Sequence, residues 1–230
     1  MIKVEHVVTP SPEQWEAIVR GMRNPMNSWD RSDSCMTYVD DASHNADAPH
    51  CFVVGDDDLS LMERLAALGT DHRKYMRMVV VYMDITAPLY WWKEFDTYKV
   101  GTVANSCSTM HKIMDKPFEI GDFSVERMYP QERTWFEMVI VPELETIRGY
   151  YMEYDRLAEL GVFGEGITKK CFWDTLIQLL PSSYNQKRTV LLNYEVLRNM
   201  YHARKTHKLD EWRDFCRRIE VMPYSELITG

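Results

Sequence analysis

Arg204 and His207 are the residues of this chain best suited to gripping an anion. They stand one helical turn apart, and Arg198, Lys205 and Lys208 surround them, so one stretch is basic in a chain whose formal net charge is −8. A guanidinium among other cations suits a phosphate or a nucleotide. The same residues also make a solvated helix end whose charge complements the dipole. Asn193 precedes Arg204 by eleven residues. On a continuous helix that is about 1100° and about 16 Å along the axis, so the two share a face and can meet two points of an extended ligand. A second group begins at Asn105 and Ser106, where Ser106, Ser108 and Thr109 open a predicted helix and His111 follows one turn later. Free N–H groups at such a start can receive phosphate; helix capping accounts for the serines equally well.

Other candidates lead to structure rather than chemistry. Cys107 has no base adjacent in sequence, so a buried or semi-buried structural thiol is expected. Asp56, Asp57 and Asp58 precede LSLMERLAAL with Gly69 behind it, which reads as an N-cap with favourable dipole charge instead of a metal site. His202 and His207 are about 500° apart on a helix, on different faces. The 7 histidines show no metal-ligand spacing, and no metal is expected. GxxxxGK(S/T), GxGxxG, HExxH and GxSxG are all absent, which leaves P-loop, Rossmann, zincin and hydrolase readings without an anchor.

These residues need elements to position them. Val4–Val8 reads as a strand, followed by a helix from Pro12 to Arg23 with Ser11 as N-cap and Gln14 at N3. Residues 24–50 read as a long surface loop or insertion, with a short strand at 51–54. The run Arg77–Ile85 predicts a central strand closed by Ala87-Pro88, and an aromatic helix carrying Trp91 and Trp92 into the core should follow. Residues 101–114 begin as loop and turn helical near Ser106. Helical periodicity is sustained over 133–160 with a kink at Pro142, and again over 167–180. Ser183-x-x-Gln186 reads as a capping box for a helix running to about Thr206, and 209–220 as a short final helix. The expected architecture is one helix-rich α+β domain over residues 1–230 with a small central sheet.

Composition sets the outer bounds. The chain has 230 residues, 45 % hydrophobic and 27 % charged, with 10 Gly and 10 Pro, which excludes a disordered or collagen-like protein. Lys+Arg 27 against Asp+Glu 35 argues against binding duplex nucleic acid. Five cysteines without a CxxC pair suit a reducing cytosol. The start MIKVEHVVTPSPEQW lacks the apolar core of a signal peptide, and the longest apolar runs fall far short of a membrane span. The 15 Met and 7 Trp read mostly as core filling.

Two segments carry a resemblance. The first runs from Ala87-Pro88 through LYWWKEFDTYKVGTVANSCS to Ser108. The second has Leu180-Pro181, then Asn193 twelve residues after the proline, then Leu197, Asn199 and Arg204. Together they resemble the flavin-dependent thymidylate synthases, the ThyX family, over about residues 70–216. That family has Ala-Pro and an aromatic helix after a strand, an Arg-His-Arg…Asn-Glu-x-Ser signature, and later Asn-x-x-x-Leu-x-Asn-x-x-x-x-Arg. Here Thr97-Tyr98-Lys99 stands where Arg-His-Arg is found, Ser106 replaces the acid, and Met110 and Ile177 occupy arginine positions. Asp71-His72 lies near, but out of register with, the family's Glu-His. The stretches NSxSTMH and RxxHKLxEW are similar to ThyX-like proteins of phage and prophage type.

The resemblance implies a ThyX-like fold and a homotetramer with FAD at subunit interfaces. The reaction it implies passes a methylene from methylenetetrahydrofolate to C5 of dUMP or a related pyrimidine nucleotide, with NADPH reducing the flavin. Arg204 would hold the pyrimidine and favour its ionised form. Tyr98, Lys99, Asn193 and Asn199 would contact the cofactor; Asn105, Ser106, Ser108, His111 and His207 would join Arg204 around the nucleotide. The lost arginines leave an alternative, a non-catalytic descendant that binds a nucleotide or a protein.

Overall fold

The computed structural model describes residues 1–38 and 50–230. Strand β1 spans Lys3–Val8 and helix α1 Pro12–Arg23. The predicted capping box is present: Ser11 Oγ accepts the Gln14 N–H at 3.3 Å while Gln14 Oε1 accepts the Ser11 N–H at 2.8 Å. The helix buries Trp15, Ile18, Val19 and Met22 on one face. Beyond it the expected loop is structured where described, with 3₁₀ turns at Asn24–Met26 and Trp29–Arg31 and a strand β2 at Cys35–Tyr38. β2 pairs antiparallel with β3, His50–Val53, Cys35 opposite Val53; the rest of that predicted loop, 39–49, lies outside the described residues.

Helix α2 spans Asp56–Ala67 and shows what the acidic triplet does. The cap comes from Asp33, whose carboxylate accepts the N–H groups of Asp57 and Asp58 at 2.9 and 3.0 Å. Asp58 itself is fully buried. Its carboxylate takes Arg23 Nε at 2.5 Å and the hydroxyls of Ser32 and Ser34 at 2.6 Å each. Burial pushes its pKa up, but the two hydroxyls and the guanidinium outweigh that and hold it below the ordinary aspartate value.

Strand β4, Val80–Pro88, leads into α3, Leu89–Phe95, then β5, Val103–Ser106, and the single-turn α4, Thr109–Lys112. Helices α5 (Pro130–Trp135), α6 (Val141–Met152), α7 (Tyr154–Glu159) and α8 (Lys169–Leu179) follow. The helical run continues from α5 through a π turn at Phe136–Ile140 into α6, and Pro142, which has no N–H to donate, stands directly after that turn. Strand β6 spans Asn185–Asn193, and α9 (Tyr194–Arg204), α10 (Asp210–Ile219) and α11 (Glu226–Thr229) complete the chain. The strands form a four-stranded sheet in the order β1-β4-β6-β5, with β4 interior as predicted. This is the expected α+β class, rich in helix with a small sheet.

β6 corrects the helix expected from Ser183. Along this strand Gln186, Val190 and Leu192 are buried while Lys187 and Thr189 are exposed, a period of two that the capping-box pattern masked. Asn193 is the true N-cap, its Oδ1 accepting the Val196 N–H at 3.0 Å. The eleven-residue span to Arg204 survives, because the cap and the last residue of α9 bound one continuous helix.

The chain divides into two compact units: one holds Met1–Lys3, Thr86–Phe95 and Asn105–Arg188, the other Val4–Ile85, Asp96–Ala104 and Thr189–Gly230. The core of the first gathers Phe118, Phe123, Phe136, Leu144, Ile147 and Leu176. Trp91 and Trp92, in the same unit, are buried as expected, packed edge to face at 4.9 Å. In the second, Met62, Met76, Met83, Tyr194, Trp212 and Phe215 are buried, so several of the many methionines fill core; Met78 does not, and is 46 % exposed.

Candidate functional site

The unit that contains α9 assembles one cluster around its last residue. The partly buried Arg204 guanidinium lies 4.9 Å from the Trp212 ring centroid and 5.7 Å from that of Tyr98. Its Nε donates to Tyr98 Oη at 3.0 Å, and Nη1 lies 3.0 Å from His207 Nε2. The Leu209 N–H points at the other ring nitrogen of His207, 3.2 Å away. Both ring nitrogens therefore face donors, and a neutral imidazole accepts at only one of them. Trp212 closes the cluster, 6.1 Å from Tyr98 and 6.5 Å from His207 between centroids. A planar cation fixed against two rings is oriented for a two-pronged contact, since guanidinium presents its donors in a rigid fork.

Local sequence explains the assembly. α3 ends at Phe95, so Tyr98 and Lys99 lie in the loop beyond it and not on a helix end. Gly101 turns that loop with φ +77°, and a Cβ there would lie 2.6 Å from Asn193 Nδ2. The glycine is required on both counts. Asn193 thus caps α9 through Oδ1, and its amide lies close against the Gly101 turn of the Tyr98 loop, a positioning role. Lys99 is exposed, and the buried Thr102 hydroxyl meets no hydrogen-bond partner among the described residues. Asn199 is exposed on α9, about 140° from Arg204 around the axis. The basic helix end is smaller than its sequence implies. Arg198 turns away and donates to the carbonyls of Leu227 and Ile228 at 3.0 and 3.4 Å, and Lys205 lies over the Tyr201 ring.

The other predicted residues lie in the other unit. Asn105 and Ser106 are exposed on β5; Ser108 caps α4, its Oγ accepting the His111 N–H at 3.2 Å, and His111 is exposed. With four residues, α4 is too short to present the set of free N–H donors expected of it. Met110 is 47 % exposed, its carbonyl accepting from Trp173 Nε1. Ile177 packs against the hydrophobic core. Cys107 is exposed, contrary to the expected buried thiol, because β6 holds only its backbone. Its N–H donates to the Lys187 carbonyl at 2.9 Å, and its carbonyl accepts from Gln186 Nε2 at 3.1 Å. Beside it opens a cleft of about 470 Å³ lined by Ser108, Thr109, Lys112, Lys116, Tyr184 and Lys187, among others.

Sequence reading found Arg204, His207 and Tyr98 but missed Trp212, although RxxHKLxEW contains it. It also missed Lys112 and Lys116, which belong to no signature. All five cysteines are free thiols. Among the described residues no group of His, Cys, Asp or Glu could hold a metal, and no helix is long and apolar enough to cross a membrane.

The fold defines a class. Solved structures that share it include two from Helicobacter pylori. One is thymidylate synthase X with FAD and dUMP, at 15 % identity and a TM-score of 0.65 over 99 % of this chain and 95 % of that one. The other is flavin dependent thymidylate synthase ThyX complexed with FAD and dUMP, at 16 % identity and a TM-score of 0.59 over 99 % and 96 %. At these identities the likeness is one of fold. No protein-family model matches the sequence, and no curated protein matches it.

Proposed function

We propose that this protein is a flavin-dependent enzyme of the thymidylate synthase type, methylating dUMP or a related pyrimidine nucleotide with methylenetetrahydrofolate and NADPH. The observation that carries the reading is the Arg204 cluster, a stacked guanidinium held by Tyr98 and His207 in a fold whose solved examples bind FAD and dUMP. The flavin fits the residues present. The Tyr98–Thr102 loop offers an aromatic ring, the exposed Lys99 ammonium and an unsatisfied hydroxyl, a set suited to the pyrophosphate and ring heteroatoms of FAD.

In this reading FAD supplies the redox chemistry. Arg204 orients the pyrimidine, and its charge lowers the cost of ionising the ring N–H beside it. Tyr98, Trp212 and His207 keep the guanidinium in place. Asn199 contacts the cofactor from the exposed side of α9, and Asn193 acts through the cap and the Gly101 turn. Asn105, Ser106, Ser108 and His111 serve the nucleotide, and the assembly is a homo-oligomer, a tetramer by family likeness. The test is methylation of dUMP in the presence of FAD, NADPH and methylenetetrahydrofolate. The reading expects product with the native chain and loss of it with Arg204→Ala.

A second reading, a non-catalytic descendant that binds a nucleotide or a protein, is favoured by exposed Met110 and core-packed Ile177, which stand at arginine positions and bring no charge. Binding of dUMP without turnover would select it.

A further inference from the structure

We propose that the cleft beside Cys107 binds a phosphate monoester through Lys112 and Lys116. The inference rests on the reading above only for which ester is tried first. The cleft, about 470 Å³, is the size of a small-ligand pocket. Lys112, Lys116 and Lys187 line it together with the carboxylates of Asp115 and Asp122.

The carboxylates hold the lysines without exhausting them. Lys112 Nζ donates to Asp115 at 2.8 Å, and Lys116 Nζ is paired with Asp122. Asp122 is also committed to the backbone, accepting the Glu119 N–H at 3.0 Å, so it anchors Lys116 to a fixed turn. Each ammonium has three N–H donors, so a single pairing leaves donors to spare. Both side chains are about two-thirds exposed, at 66 % and 64 %, and an incoming dianion can reach them. Ser108 and Thr109 also line the cleft. A dianion sharing two ammonium groups gains charge-assisted hydrogen bonds that a neutral nucleoside cannot make.

Cys107 reports on occupancy, because its thiol is exposed and lines the cleft; Cys35 and Cys51 are exposed but line none of it, and serve as internal controls. The experiment follows alkylation of each cysteine of the full chain by iodoacetamide, resolved by peptide mass spectrometry. dUMP at roughly ten times its dissociation constant should slow Cys107 about tenfold, with Cys35 and Cys51 unchanged. Lys112→Gln with Lys116→Gln should abolish the protection, and folding of this surface variant is checked by the continued resistance of buried Cys216 to alkylation. Equal protection by inorganic phosphate supports the same lysine site with free phosphate as its ligand. Equal protection by deoxyuridine, persistence in the double variant, or no protection at millimolar dUMP overturns the proposal. Protection in a chain that binds no FAD keeps this inference and sinks the flavin reading; FAD binding without protection does the reverse.

Discussion

Arg204 is useful because of what surrounds it. Lysine at this position keeps the charge but has neither a plane to lie on Trp212 nor two edges to engage Tyr98 and His207. Arg204→Lys should therefore lower dUMP methylation at least about tenfold, or about 1.4 kcal/mol of transition-state binding, with little change in urea midpoint. Equal turnover would show that charge alone suffices. Asp58 poses the opposite case, a carboxylate fully buried on α2 with Arg23 as its counter-ion. Arg23→Ala leaves that charge uncompensated and should cost about 3–5 kcal/mol in denaturant unfolding. The pH dependence follows from the lowered folded pKa of Asp58. Its contribution to stability is fully present above the unfolded value of about 3.9 and is lost as pH falls through the lower folded value. Asp58→Asn should flatten the acid limb of a thermal-unfolding series; an unchanged acid limb would mean that other carboxylates govern it.

At the scale of elements, the Tyr98 loop and the start of α9 share one contact. Gly101→Ala meets both a positive φ and Asn193 Nδ2, and should cost about 1–3 kcal/mol. Asn193→Ala removes the α9 cap, at about 1 kcal/mol. Because the alanine at 193 also clears space for a Cβ at 101, the double variant should lose less than the sum of the two, by more than about 0.5 kcal/mol; strict additivity in chemical denaturation would contradict the shared contact. The same elements show what was legible from sequence. Ser11 and Gln14 announced α1 because a capping box is a purely local device. Ser183 and Gln186 carried the same signature and misled, because Gln186 is drawn into a strand by tertiary pairing: its carbonyl accepts from Trp92 Nε1 and its amide holds Cys107, 79 residues away. The site divides likewise. Arg204 and His207 lie one turn apart and could be read as neighbours. Tyr98, 106 residues from Arg204, could be linked to it only by family likeness, and Trp212 gave no sign of lying over the guanidinium. The lysines of the cleft matched no pattern, since their meaning comes from the space they line.

Over the whole molecule, an acidic chain presents cationic side chains at two places, Arg204 in one unit and Lys112 with Lys116 in the other. Ligands attracted to such places should bind more weakly as salt rises, because exposed charges are screened within about 10 Å at 0.1 M. The proposed flavin chemistry requires that FAD binding survive with Thr97-Tyr98-Lys99 in place of a charged signature. The most direct measurement is titration of the full chain with FAD, following the flavin absorbance bands and fluorescence. Saturable binding is expected, weakened by Tyr98→Ala and by Lys99→Ala. Flavin bands that do not change at any protein concentration, in a chain shown by circular dichroism to be folded, would contradict it.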